Sequence, residues 1–244
     1  MRTPELAPDE RPPSPAWGNR APREPRWPAT LALAAAVALY VALPAKLIYA
    51  PFGISQEIAR WVVPGLELAL IIPLQLTRPH HGSDETKWRR MSSLALIGLV
   101  NLANLGSLIL LVDKLLHGSI RQNGSIGLEL IYSAILIWLT NVIIFGFWYW
   151  MFDRGGPVAR AHAAAGYSPA FLFPQMGAPP EIAETDWRPM FFDYLYTSFT
   201  NATAFSPTDV MPLARWAKLT MMLQSAVALL LAILVIARAV NVLK

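Results

Sequence analysis

Cysteine is missing from all 244 residues, and with it go disulfides, thiolate zinc sites, iron–sulfur clusters and any cysteine nucleophile. Charge is scarce too: DEKR residues form 15% of the chain, against about 25% in soluble domains. Hydrophobic residues reach 55%, a balance that excludes an ordinary soluble enzyme. Neither sign of charge dominates, with 20 Lys and Arg against 16 Asp and Glu scattered between apolar blocks. Nucleic acid is therefore not an expected partner. No phosphate-cradling glycine loop, nucleophile elbow or zincin signature occurs, so neither catalysis nor a cofactor is expected. His80 and His81 are adjacent rather than spaced i, i+4 like the paired histidines of a strong metal site, and with Asp84 and Glu85 they read as solvated loop.

What the chain does have is long apolar blocks. Residues 1–28 hold eight of the 21 prolines and five arginines, and read as a disordered Pro/Arg-rich tail. The first apolar block, Ala29 to Ala50, would make a helix of about 33 Å, enough for a bilayer core of roughly 30 Å, with a kink at Pro44. Ile58 to Leu76, Ser92 to Val112 and Leu128 to Phe152 follow, completing a four-span region over 29–152. Trp148, Tyr149 and Trp150, with Trp27, Trp61, Trp88 and Trp216, sit near block ends as an interfacial aromatic belt would. Residues 153–190, with six prolines, read as an extramembrane loop or lobe. A last block runs from Leu219 to Val242.

Between lobe and last span lies FFDYLYTSFTNATAFSPTDVMP, Phe191 to Pro212. Asp193, Thr197, Thr200, Asn201 and Ala204 share one helical face, and Phe192, Tyr196 and Phe199 another. The spacing predicts a helix of about 13 residues, roughly 20 Å and too short to cross. Ser206-Pro207-Thr208-Asp209 breaks it, and Pro212 leads into the last span. This is the pattern of a re-entrant segment, whose backbone must be buried in protein or line a watery cavity.

From Asp193 to Arg238 the chain resembles the pore helix, filter and inner helix of two-span potassium-channel pore modules. DYLYTSFTNATAFSPTDVMP stands where those channels read like DxLYFSFxTxTTVGYGDxxP, with Asp193, Leu195, Tyr196, Ser198, Phe199, Thr203, Asp209 and Pro212 matching. More broadly, ALPAKLIYAPFGISQEIARWVVPGLEL and WLTNVIIFGFWYW resemble an uncharacterised family of bacterial multi-pass membrane proteins, which implies no activity. The channel resemblance implies a homotetramer around one axis and a monovalent cation. Both filter glycines are lost, however. Ala204 to Thr208 occupy the filter, where glycine dihedrals let carbonyls replace an ion's hydration shell, and Pro207 fixes φ and removes an N–H. Potassium selectivity is not expected. Thr203, Ser206, Thr208 and Asp209 remain as candidates for a weakly selective cation path.

Other polar residues sit within the apolar blocks. Glu67 is an intramembrane ionisable group, a functional candidate by default, for proton-coupled transport or for hydrogen bonding to Asn101 or Asn141. Asn101 and Asn104, with Ser107, stripe the third block; Ser133, Thr140 and Asn141 stripe the fourth; Gln224 and Ser225 mark the last. Such residues line a path or glue helices together. Lys and Arg favour a cytoplasmic N-tail by the positive-inside rule, whereas the channel resemblance requires the opposite orientation. The expectation is an all-α multi-pass transmembrane helical protein whose residues 191–244 form a re-entrant pore-helix-like segment plus the last transmembrane helix, in the bilayer of a bacterial cytoplasmic membrane. It is either a degenerate cation pathway or a non-conducting structural or accessory subunit.

Overall fold

The structure, a computed structural model, describes residues 24–48, 50, 55–62, 64–65, 87–117, 124–161, 168–179, 181–182, 187–203 and 209–242. Glu67, Ser206, Thr208 and the His80–His81 pair lie outside them. The helices are α1 (Trp27–Ala42), α2 (Lys87–His117), α3 (Gly124–Phe152), α4 (Pro157–Ala161), α5 (Phe191–Thr203) and α6 (Arg215–Val242), and a two-residue antiparallel ladder pairs β1 (Phe171–Leu172) with β2 (Met211–Pro212). Residues 56–62 and 64–65 are helical as well.

The first apolar block does not continue as one kinked helix to Ala50. α1 stops at Ala42 after 16 residues, about 24 Å. Pro44 is the cause: the residue before a proline is driven out of the helical region, and Leu43 sits extended at ψ 143. A single 3-10 turn, Ala45–Leu47, follows. α1 also begins at Trp27, with Glu24 and Pro25 ordered ahead of it.

α3 is predominantly apolar, its Ser133, Thr140 and Asn141 being buried rather than turned to water, and it occupies the centre, packed against α1, α2, α5 and α6. Two apolar clusters form along it. One gathers Phe145, Tyr149, Phe171, Phe191 and Tyr194 at its C-terminal end; the other gathers Tyr40, Leu47, Leu111, Ile137 and Leu231 toward its N-terminal end. Among the described residues, Glu129–Gly155 and Arg215–Ala237 are long and apolar enough to cross a membrane; the apolar stretch Asn101–Asp113 of α2 is shorter. α6 differs from α3 in being largely uncovered, with Leu219, Met222, Leu230, Ile233 and Ile236 exposed. A continuous apolar surface of that kind belongs against lipid or protein rather than water.

α5 lies along α3 in the opposite direction. The Phe191 ring meets Phe147 at 4.8 Å and Trp150 at 5.5 Å, and eleven residues on, the Ala202 carbonyl accepts the Trp138 indole N–H at 3.4 Å. By Trp216 the chain is back beside Phe152, with ring centroids 5.8 Å apart. The close approach of α3 and α5 is made at Gly146, where an added Cβ would sit 3.2 Å from both Cα and Cδ1 of Leu195. Gly146→Ala should therefore destabilise the protein by about 1–3 kcal/mol through overpacking. Gly177→Ala, which meets nothing within 4 Å, should leave the thermal unfolding midpoint unchanged and serves as the control.

Candidate functional site around the short helix α5

An amphipathic helix in water buries its apolar face; α5 buries polar groups among Phe191, Tyr194 and Ala202 and leaves other aromatic side chains uncovered. Thr197 and Ser198 are fully buried, and Phe192, Tyr196 and Phe199 are exposed. Orientation of this kind requires hydrogen bonds for the inward polar groups and a non-aqueous medium for the outward aromatic ones. Thr197, Thr200 and Thr203 bond carbonyls of their own helix, at Asp193, Tyr196 and Thr200 respectively. Asp193 accepts the Met190 N–H at 2.7 Å, satisfying one of the donors left free at the helix start.

The remaining polar groups converge on Gln224, which is wholly buried. Its Oε1 accepts the Tyr149 hydroxyl at 2.6 Å and Asn201 Nδ2 at 2.8 Å. Its Nε2 donates to the Ser198 carbonyl at 2.9 Å and to Ser198 Oγ at 2.7 Å. Ser198 Oγ in turn donates to the Val142 carbonyl at 2.6 Å, and Ser225 Oγ donates to Asn201 Oδ1 at 3.1 Å. One amide thus fastens α3, α5 and α6 together, with its donors and its acceptor all engaged.

A second polar centre sits where α3 ends. Arg154, Gly155 and Gly156 take φ of 49°, 77° and 95°, a left-handed run that turns the chain into α4. At Gly156 a side chain would be strained by φ alone, and a Cβ would stand 3.0 Å from the Met151 carbonyl oxygen. Arg154, lacking glycine's freedom, is held from Nε to Asp153 Oδ2 at 3.3 Å. Asp153, fully buried, also accepts the Tyr194 hydroxyl at 2.6 Å and the Ala170 N–H at 2.7 Å. The Ala170 carbonyl then accepts the Leu213 N–H at 2.8 Å, just past the β1–β2 ladder. Through these links both flanks of residues 204–208 are fixed, α5 on one side and β2 on the other.

Arg160 of α4 folds back over this turn. Its Nη1 donates to the carbonyls of Trp150 at 2.6 Å and Asp153 at 2.9 Å, and its guanidinium carbon lies 5.1 Å above the Tyr194 ring. Its Nη2 stands 3.7 Å from Glu24 Oε2. Glu24 accepts the Trp150 indole N–H at 2.9 Å and the Phe191 backbone N–H. Burial pushes its carboxyl above the usual carboxylate range, outweighing those two hydrogen bonds and the Arg160 charge, which act in the other direction.

Of the residues singled out by sequence, Gln224 proves to be the hub. Thr203 is half-buried and Asp209 exposed, on either side of residues 204–208. Asn104 and Asn141 are buried in the bundle and Asn101 is half-buried. Ser133 and Thr140 bond carbonyls of their own helix, at Glu129 and Leu136. Sequence reading missed Asp153, Arg160 and Glu24; the run Asp153-Arg154-Gly155-Gly156-Pro157 was the available signal, a helix stop beside an acid. It also took Tyr149 and Trp150 for interfacial aromatics, whereas both are buried. Trp27 and Trp61 are exposed, as a belt requires. Beside the site an open groove of about 700 Å³, lined by Ala35, Ala38, Leu139, Phe192 and Tyr196 among others, separates α1 from α5. Its apolar walls offer an ion nothing to replace hydration.

Comparison with family models, with curated proteins and with solved structures finds no match for this chain.

Proposed function

We propose that this is an integral, multi-pass protein of a bacterial cytoplasmic membrane in which α5 begins a re-entrant hairpin, serving as a non-conducting structural or accessory subunit. The carrying observation is that the inward polar face of α5 is consumed by hydrogen bonds within one chain: Ser198 and Asn201 are spent on Gln224 and its neighbours. Groups so engaged cannot also strip water from an ion. The outward aromatic face and the uncovered apolar side of α6 support a lipid or protein environment on the outside. The hairpin shape is supported by the start of α5 and the start of α6 lying at the same end of α3.

A second reading, a weakly selective monovalent-cation pathway in a homotetramer related to potassium-channel pore modules, is favoured by one observation. Asp209 is exposed and Thr203 is half-buried, and they bracket the five residues that take the filter's place in that resemblance. Liposome flux separates the two. Purified protein reconstituted in potassium, sodium and proton gradients is expected to leak no faster than protein-free vesicles. Flux in wild type that Asp209→Asn abolishes would replace the scaffold reading with the pathway.

A further inference from the structure

The contacts holding α5 differ in kind at its two ends. At the far end, Ser198 and Asn201 are held by Gln224 and Met221 of α6, a neighbour within the bundle. At the near end the Phe191 N–H is held by Glu24, which is 167 residues away in sequence and lies in non-helical chain ahead of α1. The first N–H groups of a helix have no partner within it, and a carboxylate there also meets the positive end of the helix dipole. Glu24 is thus a natural anchor for the first turn of α5, supplied from outside the bundle and tied at the same time to α3 through Trp150 and to α4 through Arg160.

The anchor is poorly compensated for its burial. The Arg160 pair is separated by 3.7 Å, too far for the bidentate geometry that offsets desolvation, because Arg160 spends Nη1 on two carbonyls. Asp193 of α5 faces Glu24 as a like charge. Asp153 and Arg154, in the turn after α3, pair with each other, and the Tyr194 hydroxyl is taken up by Asp153. The upward push on the Glu24 carboxyl agrees with that geometry. We propose that Glu24 is a releasable clasp through which the segment ahead of α1 sets the position of the first turn of α5. Withdrawal of the segment frees the Phe191 N–H and loosens the first turn of α5, while Tyr194 on Asp153 and Gln224 at the far end keep the rest of the helix in place. The clasp operates in the scaffold and in the pathway alike and does not depend on ion passage.

Amide hydrogen exchange on the full chain in detergent micelles tests it, because Glu24 is the acceptor of the Phe191 N–H. Glu24→Met keeps side-chain bulk and removes both acceptors; exchange over residues 191–194 should rise about tenfold, the equivalent of one charge-assisted hydrogen bond. Glu24→Gln restores one carbonyl oxygen and should return most of the protection, a rescue that a space-filling role does not predict. Exchange over residues 217–226 of α6 should not change. Wild-type exchange at 191–194 in Glu24→Met, or faster exchange spread equally over α3 and α6, overturns the clasp. If Glu24→Met does not fold, Trp150→Phe removes one tether from Glu24 and should speed exchange at Phe191 several-fold; an unchanged rate there overturns it equally.

Discussion

Asp153→Ala should cost about 3–5 kcal/mol of stability, the scale for removing one partner from a buried ionic group. The loss has three parts. The Arg154 guanidinium, whose side chain is buried beside the carboxylate, loses that ion pair in a low-dielectric site. The Tyr194 hydroxyl and the Ala170 N–H, both pointing at the missing oxygens, are left unsatisfied at about 1–3 kcal/mol each before relaxation. The consequence travels along the chain, since Ala170 also holds Leu213 beside the β1–β2 ladder. Thermal unfolding followed by tryptophan fluorescence in detergent should show a midpoint lower by roughly 10 °C. Asp153→Asn keeps an acceptor for Ala170 but loses the charge and the Oδ2 acceptor that Tyr194 and Arg154 share, so its drop should be smaller. A midpoint for Asp153→Ala within about 1 °C of wild type, well inside the usual cost of one lost hydrogen bond, would refute the assignment of this aspartate as the keystone of the turn.

Gln224→Leu should have the next largest effect, about 2–4 kcal/mol. Hydrogen bonds between membrane helices average less than 1 kcal/mol, but here one side chain makes four hydrogen bonds to three residues at once, and its removal strands several buried groups together. Tyr149 loses the Gln224 acceptor of its hydroxyl, Asn201 keeps the Met221 carbonyl, and Ser198 keeps Val142. The three losses are therefore unequal, with Tyr149 the most exposed to the change. A double-mutant cycle makes the prediction sharp: because both side chains meet at 2.6 Å, Tyr149→Phe should cost about 1 kcal/mol alone and be neutral or stabilising in the Gln224→Leu background, where it removes a stranded hydroxyl. Additive losses in that cycle would show that the two residues act independently and that Gln224 is not the hub.

The two centres were unequally legible in sequence, and the reason is physical. The 13-residue extent of α5 followed from spacing alone, since a 3.6-residue period and a Ser-Pro break are local properties. Gln224 stood out because an amide inside an apolar block needs a partner wherever it sits. Its partner Tyr149 did not, because a tyrosine near the end of a span suits an aromatic belt as well as a buried network. Glu24 was hidden by its neighbourhood: surrounded by prolines and arginines, it has the composition of a solvated tail, and only a fold that carries Trp150 and Phe191 to the same place turns it into a ligand for both.

By itself the sequence determined the helical, apolar character of the chain, the short amphipathic helix before the last long one, and the loss of both glycines from the segment that follows it. These depend on residue type and period, which need no tertiary information. Only the tertiary structure decided which way α5 faces, where α1 ends and which acids are buried. Each of those is set by what a side chain meets across the bundle: the polar face of α5 turns inward because Gln224 awaits it, and Asp153 is tolerated without water because Tyr194, Ala170 and Arg154 surround it.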